Sequence, residues 1–304
     1  MNNEYYCQLV SSRGIAYQCN HHPKNLKSDT VELNIDDYKN IQNGDKVYVV
    51  SSALDKFFNL IFPTILRSGV QITLVTGACV TSVPQELSKV HGKDYMKLMD
   101  VFSKNIKCWF TQNCDVVDHD KIKPIPLGLD YHTLQGKSAH LWGLKQTALQ
   151  QEDELLQIQK RSKEIYSTKK CKSYSYYHFV KFDRHDFDRH KADDVLKNKS
   201  FNVFQTSRFA RSETWKRHLD YHFIISPHGK GLDCHRTWEA ICLGCIPVVK
   251  TSSLDILYEN LPVLILKKWD DLNEELLQKT LEEFKTRTFD FQRVDLKYWV
   301  DKIV

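Results

Sequence analysis

No apolar run in this chain approaches the roughly 20 residues that a membrane-spanning helix requires, which excludes an integral membrane protein. The opening MNNEYYCQLVSSRG has no basic stretch leading into an apolar core, so no secretory signal is expected. The nine cysteines form an odd set without the spacing of a small disulfide-built domain. Reduced thiols in a cytoplasmic protein are the expectation. The sole Cys-x-x-Cys, Cys242 with Cys245, lacks the second pair that a zinc site needs, and both read as buried thiols. Basic blocks are missing too. A net charge of +5 is modest over 304 residues and there is no RNP-like aromatic motif, so nucleic acid is not called for as a partner.

What is present is an ordinary globular balance, with 41% hydrophobic and 27% charged residues and enough length for two domains. The order of elements is α/β. KVYVVS reads as a strand, ALDKFFNLIFPTILRSG as a helix stopped by Gly69, and QITLVTG as a second strand. YMKLMDVFSKN continues as a helix, KCWFTQ as a strand and KPIPLGLDYHTL as a strand leaving for a loop. Strand, helix, strand with short connections is the grammar of a parallel sheet covered by helices. Ligands bind beyond the carboxyl ends of such strands, which makes residues 51–55 and 76–84 the expected cleft-facing loops of this half. A long polar helix over residues 140–166 carries the chain into the second half, where CKSYSYYHFV and NVFQTS read as strands and RFARSETWKRHL as a helix. Domains are therefore expected at 1–150 and 151–288. A terminal helix at 289–304 carries an apolar stripe of Val294, Leu296, Trp299, Val300 and Ile303.

The chemistry concentrates in residues 221–249, YHFIISPHGKGLDCHRTWEAICLGCIPVV. An apolar run enters a turn of Ser226, Pro227, His228, Gly229, Lys230 and Gly231, and a helix capped by Asp233 is expected to follow. Two glycines admit a ligand close to the backbone and the helix start favours an anion, so a phosphate is the natural guest. On that helix His235 and Glu239 share a face and Arg236 lies one turn before Glu239. Cations for a diphosphate and a carboxylate for ribose hydroxyls are what a nucleotide needs. Arg208 and Arg211 stand near a helix start, where cations oppose the helix dipole, and contact with phosphates would account for them.

The stretch SPHGKGLDCHRTWEAICLGCIPVV, with SRFARSETW upstream, resembles the nucleotide-sugar half of the exostosin-like glycosyltransferases of family 47. It is most similar to the short soluble forms found in large DNA viruses and some microbes. VYVVSSALDKFF and IPLGLDYHTL extend the resemblance into the first half. Membership implies a GT-B fold of two Rossmann-like domains facing a cleft, with the terminal helix crossing back to the first. It also implies inverting transfer of a pentose or hexose from a nucleoside diphosphate sugar, UDP-linked, to a glycan acceptor, without a metal cofactor. Animal and plant exostosins carry a membrane anchor, and this chain departs from them there. The donor would rest on Ser226, His228, Gly229, Gly231, Asp233, His235, Arg236 and Glu239 with Arg208 and Arg211. Asp55, Asp130 and His132 are the candidate bases, unranked. The family pattern places an acidic residue straight after Gly77, where this chain has Ala78, so the usual base is expected to be missing.

Several features read as structural. The adjacent His21 and His22 point apart and belong to a surface loop, and the duplication FDRHDFDRH at 182–190 reads as a solvated loop although it contains Asp186-x-Asp188, a manganese-binding pattern elsewhere. Asp130, Tyr131 and His132 form a carboxylate, aromatic and imidazole mixture suited to an acceptor sugar. Two competing functions are a degenerate protein that binds nucleotide sugar without turnover and an RNA-binding protein.

Overall fold

A computed structural model describes residues 3–136, 139–176 and 186–303. After α1 (Gly14–Tyr17), the first sheet is built from β1 (Lys46–Val50), β2 (Ile72–Gly77), β3 (Ile106–Thr111) and β4 (Ile122–Pro124). It runs in the order β1-β2-β3-β4 with all pairings parallel. Crossovers of α2 (Leu54–Lys56), a π-helical turn at Phe57–Ile61 and α3 (Phe62–Ser68), then of α4 (Gln85–His91) and α5 (Tyr95–Val101), cover it. Gly69 ends α3 at φ 68°, a left-handed position that costs glycine nothing. β2 is buried at every residue, as a parallel strand covered on both faces must be.

A short turn of helix, α6 (His132–Gly136), leads into a two-stranded hairpin, β5 (Ala139–His140) and β6 (Gly143–Leu144). The long polar helix expected over 140–166 is thus shorter: α7 (Ala148–Glu164) starts at a capping box of Thr147 and Gln150, which leaves the residues before it for the hairpin. The second sheet holds β7 (Lys170–Ser175), β8 (Asn202–Phe204), β9 (Tyr221–Ile225), β10 (Ile246–Lys250) and β11 (Leu264–Leu266), with α8 (Asp186–Leu196), α9 (Arg211–Arg217) and α10 (His235–Cys242) on its crossovers. It is parallel throughout in the order β11-β10-β9-β7-β8. From β7 the chain passes to one side for β8 and then to the other for β9, so the crossover direction reverses between β7 and β9. A crevice opens at the carboxyl ends of strands where this happens.

Side chains alternate across β9. Phe223 and Ile225 join Ala192, Leu196 and Leu277 on one face, while Ile224 meets Tyr174, Ala240 and Cys245 on the other. The largest apolar cluster does not stop at either sheet. It runs from Val49, Leu74 and Trp109 through Leu155 of α7 to Trp238, Ile241 and Tyr258. α7 strengthens this junction with polar ties, since Glu152 accepts the Gln8 and Leu9 N–H groups at 3.0 and 2.8 Å while Ser162 Oγ donates to the Leu243 carbonyl. The chain ends with α11 (Glu274–Thr286) and α12 (Leu296–Lys302). The segment leading into α12 returns to the amino-terminal residues, where Val10 N–H donates to the Val294 carbonyl and Leu296 N–H to that of Gln8, each at 2.8 Å. Leu296, Trp299 and Ile303 of the expected stripe are buried there.

The duplication at 182–190 departs from the solvated loop expected of it. Its residues 182–185 lie outside the described residues, as do 177–180 of the expected aromatic strand, but Asp188 is a buried residue of α8. Its carboxylate takes Lys250 Nζ, Trp269 Nε1 and the His228 N–H. Burial with three donors makes it a brace between α8 and the turn after β9. Cys242 and Cys245 are free buried thiols, and His21 is tied by its Nε2 to Asp45 at 2.9 Å. Among the described residues, no helix is long and apolar enough to cross a membrane.

Candidate functional site

The carboxyl ends of the two sheets face each other across a cavity of about 810 Å³. Ala78, Cys79 and Val80 after β2, Asn113 after β3, and Leu127, Asp130 and His132 after β4 form one wall. Tyr176 after β7, Gln205 and Arg208 after β8, and the glycine turn after β9 with His235, Arg236 and Glu239 of α10 form the other. The site therefore sits at the crossover reversal between β7 and β9.

The glycine turn is fitted tightly. A Cβ on Gly231 would stand 2.8 Å from the Asn113 amide, and one on Gly229 would stand 2.5 Å from Arg189 Nη2. Asn113 itself bridges the walls, accepting the Asp233 N–H at 2.9 Å and donating to the Cys79 carbonyl at 2.9 Å. Asp233 does not cap α10. Its carboxylate takes the Leu127 N–H at 2.7 Å, the Cys234 N–H, Trp238 Nε1 and the Tyr258 hydroxyl, and the helix begins two residues later behind Cys234. Burial pushes the Asp233 carboxyl up while those donors pull it back. It is a strut across the two walls rather than a ligand for substrate.

Asp130 and His132 make a dyad. Thr133 gives Asp130 both its N–H, at 2.9 Å, and its hydroxyl, at 2.7 Å, and His132 Nδ1 lies 3.1 Å from Asp130 Oδ1. Burial opposes the Asp130 charge, but His132, His235 and the Thr133 donors outweigh it and hold the carboxyl below the usual carboxylate range. Burial drives His132 down to about 4 against the attraction of Asp130, so the ring is neutral near pH 7. With Nδ1–H committed to the carboxylate, Nε2 is the ring's remaining acceptor. Ser12 Oγ is 3.2 Å from the same Nδ1. A serine nucleophile must meet the ring on the nitrogen opposite its carboxylate, so this trio is not a hydrolase relay. His235 likewise binds Gly128 O through Nδ1, at 2.7 Å, and its ring centroid is 6.3 Å from that of His132.

The remaining expected residues divide. Arg208, Arg236 and Glu239 line the cavity, as does Lys230. Arg211 lines it too, but its guanidinium donates to the Asp130 carbonyl and to Gln151 Oε1 and stacks on Trp215 and Trp142. Those bonds make it a clamp for the dyad loop while it still borders the cavity in which a phosphate contact was expected of it. Ser226 and His228 lie under the turn instead of in the cavity, Ser226 bonded to Thr237 Oγ1 and His228 Nδ1 to the Leu232 carbonyl. Tyr131 is fully buried with its hydroxyl on Glu152, so it offers no surface to a sugar.

Asp55 is displaced from the site altogether. The chain turns helical directly after β1, which carries Asp55 round to the far side, where it pairs with Lys93 and takes Asn59 Nδ2 at 3.1 Å. For the same reason residues 51–55 form no wall of the cavity, whereas Ala78 to Val80 do. Sequence reasoning missed Ser12, Asp29, Asn113 and Arg189, each delivered from a distant segment without a local signal, and the hairpin tip, where Leu141 and Trp142 edge the cavity. Among the described residues no cluster of three His, Cys, Asp or Glu side chains could hold a metal ion. Neither a family model nor a curated protein matches this chain.

Proposed function

We propose that the protein is an inverting glycosyltransferase of GT-B arrangement that moves a sugar from a UDP-linked donor to a hydroxyl of a glycan acceptor. One observation carries this reading: a glycine turn followed by Arg236 and Glu239, and a carboxylate-oriented neutral histidine, line opposite walls of a single cavity between two parallel sheets. The diphosphate belongs at residues 229–231, where Arg189, Arg208, Lys230 and Arg236 supply positive charge. The acceptor belongs at the facing wall, with Trp142 and Leu141 offering an apolar edge to a sugar ring.

In the reaction His132 Nε2 takes the proton of the acceptor hydroxyl as its oxygen bonds to the anomeric carbon. The bond from that carbon to the diphosphate oxygen breaks, and the cations stabilise the departing charge. Asp130 holds the ring in the tautomer that leaves Nε2 unprotonated and stabilises the imidazolium that forms. A thermal-shift screen with UDP-sugars tests the binding half, because a ligand at ~100 times its dissociation constant stabilises the fold by about 2.7 kcal/mol. No shift with any nucleotide sugar would overturn the reading. Binding without product across a panel of oligosaccharide acceptors would instead leave a nucleotide-sugar-binding protein. His132→Ala is expected to lower transfer by roughly 10² to 10⁴ while donor affinity, read by calorimetry, stays within a few fold.

A further inference from the structure

Six non-glycine residues among those described hold a left-handed backbone, and three of them, Asp29, Ala78 and Asn113, line the cavity. They are also tied together. Asp29 N–H donates to the Ala78 carbonyl at 2.8 Å and Asp29 Oδ1 accepts the Val80 N–H at 3.0 Å, while Asn113 Nδ2 holds the Cys79 carbonyl at 2.9 Å from the other side. Ser52 Oγ donates to the Thr30 carbonyl at 2.7 Å and so fastens the loop that carries Asp29 to the residues after β1. Unusual backbone held from several sides is characteristic of functional walls.

Asp29 is the member with chemistry to spare. It is exposed and lines the cavity. Bracing Val80 takes one carbonyl-type oxygen, which an asparagine would supply equally well, yet the chain places a charge there. Among the described residues no cation forms an ion pair with it. A carboxylate offers about four acceptor positions, so after the Val80 N–H and the neighbouring Cys79 thiol it still accepts from hydroxyl groups of a ligand.

Its place relative to the dyad indicates which ligand. On one side of Asp130 and His132, Arg211 joins the Asp130 carbonyl to the face of Trp142. On the other, Ser12 Oγ meets His132 Nδ1, and Arg13 Nη2 reaches Ser28 Oγ at 3.5 Å, next to Asp29. Along this path the dyad stands between an aromatic face and a carboxylate, two groups that sugars engage through their C–H faces and their hydroxyls. Several side chains separate Asp29 from His132, which is the reach of a second sugar unit rather than of the reacting one. We propose that Asp29 anchors a second sugar unit of the acceptor, so that the protein acts on oligosaccharides in preference to monosaccharides. The assignment rests on the transferase reading above and adds to it a residue and a substrate class.

The test measures transfer from the UDP-sugar that binds best to two acceptors, the best oligosaccharide of the panel and the methyl glycoside of its terminal sugar, with the full chain and with Asp29→Asn. Asparagine keeps the left-handed backbone and the bond to Val80 while it removes the charge. The native chain is expected to show a KM for the oligosaccharide at least about tenfold below that for the glycoside. Asp29→Asn should raise the oligosaccharide KM by about tenfold while the glycoside KM, kcat and UDP affinity stay within about threefold. A native chain that uses both acceptors alike, or an Asp29→Asn protein that keeps the native KM for the oligosaccharide, would overturn the anchor and leave the transferase reading standing. If Asp29→Asn weakens both acceptors, or UDP, to the same extent, Asp29 is only a brace for the loop after β2 and the anchor is overturned as well. Donor binding without transfer to any acceptor would remove the transferase reading and this one together.

Discussion

Ala78 holds the backbone at φ 50°, a left-handed conformation that alanine adopts at some cost and aspartate or asparagine more readily. Its N–H donates to Gln112 Oε1 at 2.9 Å, its carbonyl takes the Asp29 N–H at 2.8 Å, and its methyl faces the cavity. An acidic side chain here would thus be tolerated and would point into the cavity. With the Asp130–His132 dyad on the same wall, the proton has a destination already, and Ala78→Asp is expected to change the transfer rate by less than about tenfold while His132→Ala nearly abolishes it. Rates of the two variants on one acceptor decide the matter. A hundredfold gain from Ala78→Asp, with His132→Ala still active, would place the base after β2. At this scale the grouping of Gly229, Gly231, Arg236 and Glu239 on one wall of the cavity was legible, because they lie within eleven consecutive residues. The pairing of Asp130 with His132 was not. Two residues apart, they read as separate base candidates beside Asp55, and only the turn closed by Thr133 sets carboxylate and imidazole in contact.

Among the elements, strands and crossovers followed from β-branched runs and helical periods, and errors fall where a polar residue had two possible employments. Asp233 has the composition of a helix cap and is drawn instead to Leu127, Trp238 and Tyr258, so α10 starts late. Asp188 sits among charged neighbours in sequence yet meets Lys250 and Trp269 from strand and turn far downstream. That brace carries Arg189 into the cavity, where its Nε donates to the His228 carbonyl at 3.4 Å and its Nη2 lies over Gly229. A methyl group at Gly229 would meet the end of this flexible side chain rather than backbone, and no positive φ needs glycine there. Gly229→Ala is therefore expected to shift the melting temperature by only a degree or two while it displaces the guanidinium and weakens UDP binding by roughly tenfold. Calorimetry on UDP together with a melting curve separates the two effects. Equal affinity for UDP would remove Arg189 from the phosphate site.

For the whole molecule, the continuous apolar cluster from the first sheet through α7 to α10 makes one cooperative body from two sheets. Read as two domains each with its own core, the chain carries no local signal that the cores merge, since no short-range pattern places Trp109 of β3 and Trp238 of α10 in one cluster. One consequence is that charge uptake at any buried point of the junction burdens the entire fold. His218 is fully buried beside Lys169 and Arg236, and burial and those charges drive it down to about 3. A histidine depressed in the folded state is neutral above its unfolded value near 6.5 and contributes no linkage there. As pH falls below 6.5, the unfolded chain takes up a proton that the folded chain refuses, and stability is lost until the folded pKa is reached. Between pH 7 and pH 5 this group alone costs about 2 kcal/mol. His132, at about 4, acts in the same direction. Glu4 acts against them, because burial raises its carboxyl to about 7 and the folded state binds its proton more readily between 7 and 4.5. His222, also depressed to about 4, acts with the histidines, and the raised carboxyls of Asp115, Asp233, Glu239 and Asp295 act with Glu4, so a variant and not the native profile reads out one group. His218→Leu isolates the His218 contribution. Neither ring nitrogen has a partner to lose, so the variant should match the native midpoint at pH 7 within about 1 kcal/mol and exceed it at pH 5 by roughly 2 kcal/mol. Parallel profiles for the two proteins would mean that His218 is protonated alike in the folded and unfolded chains, and that the burial seen here does not govern its charge.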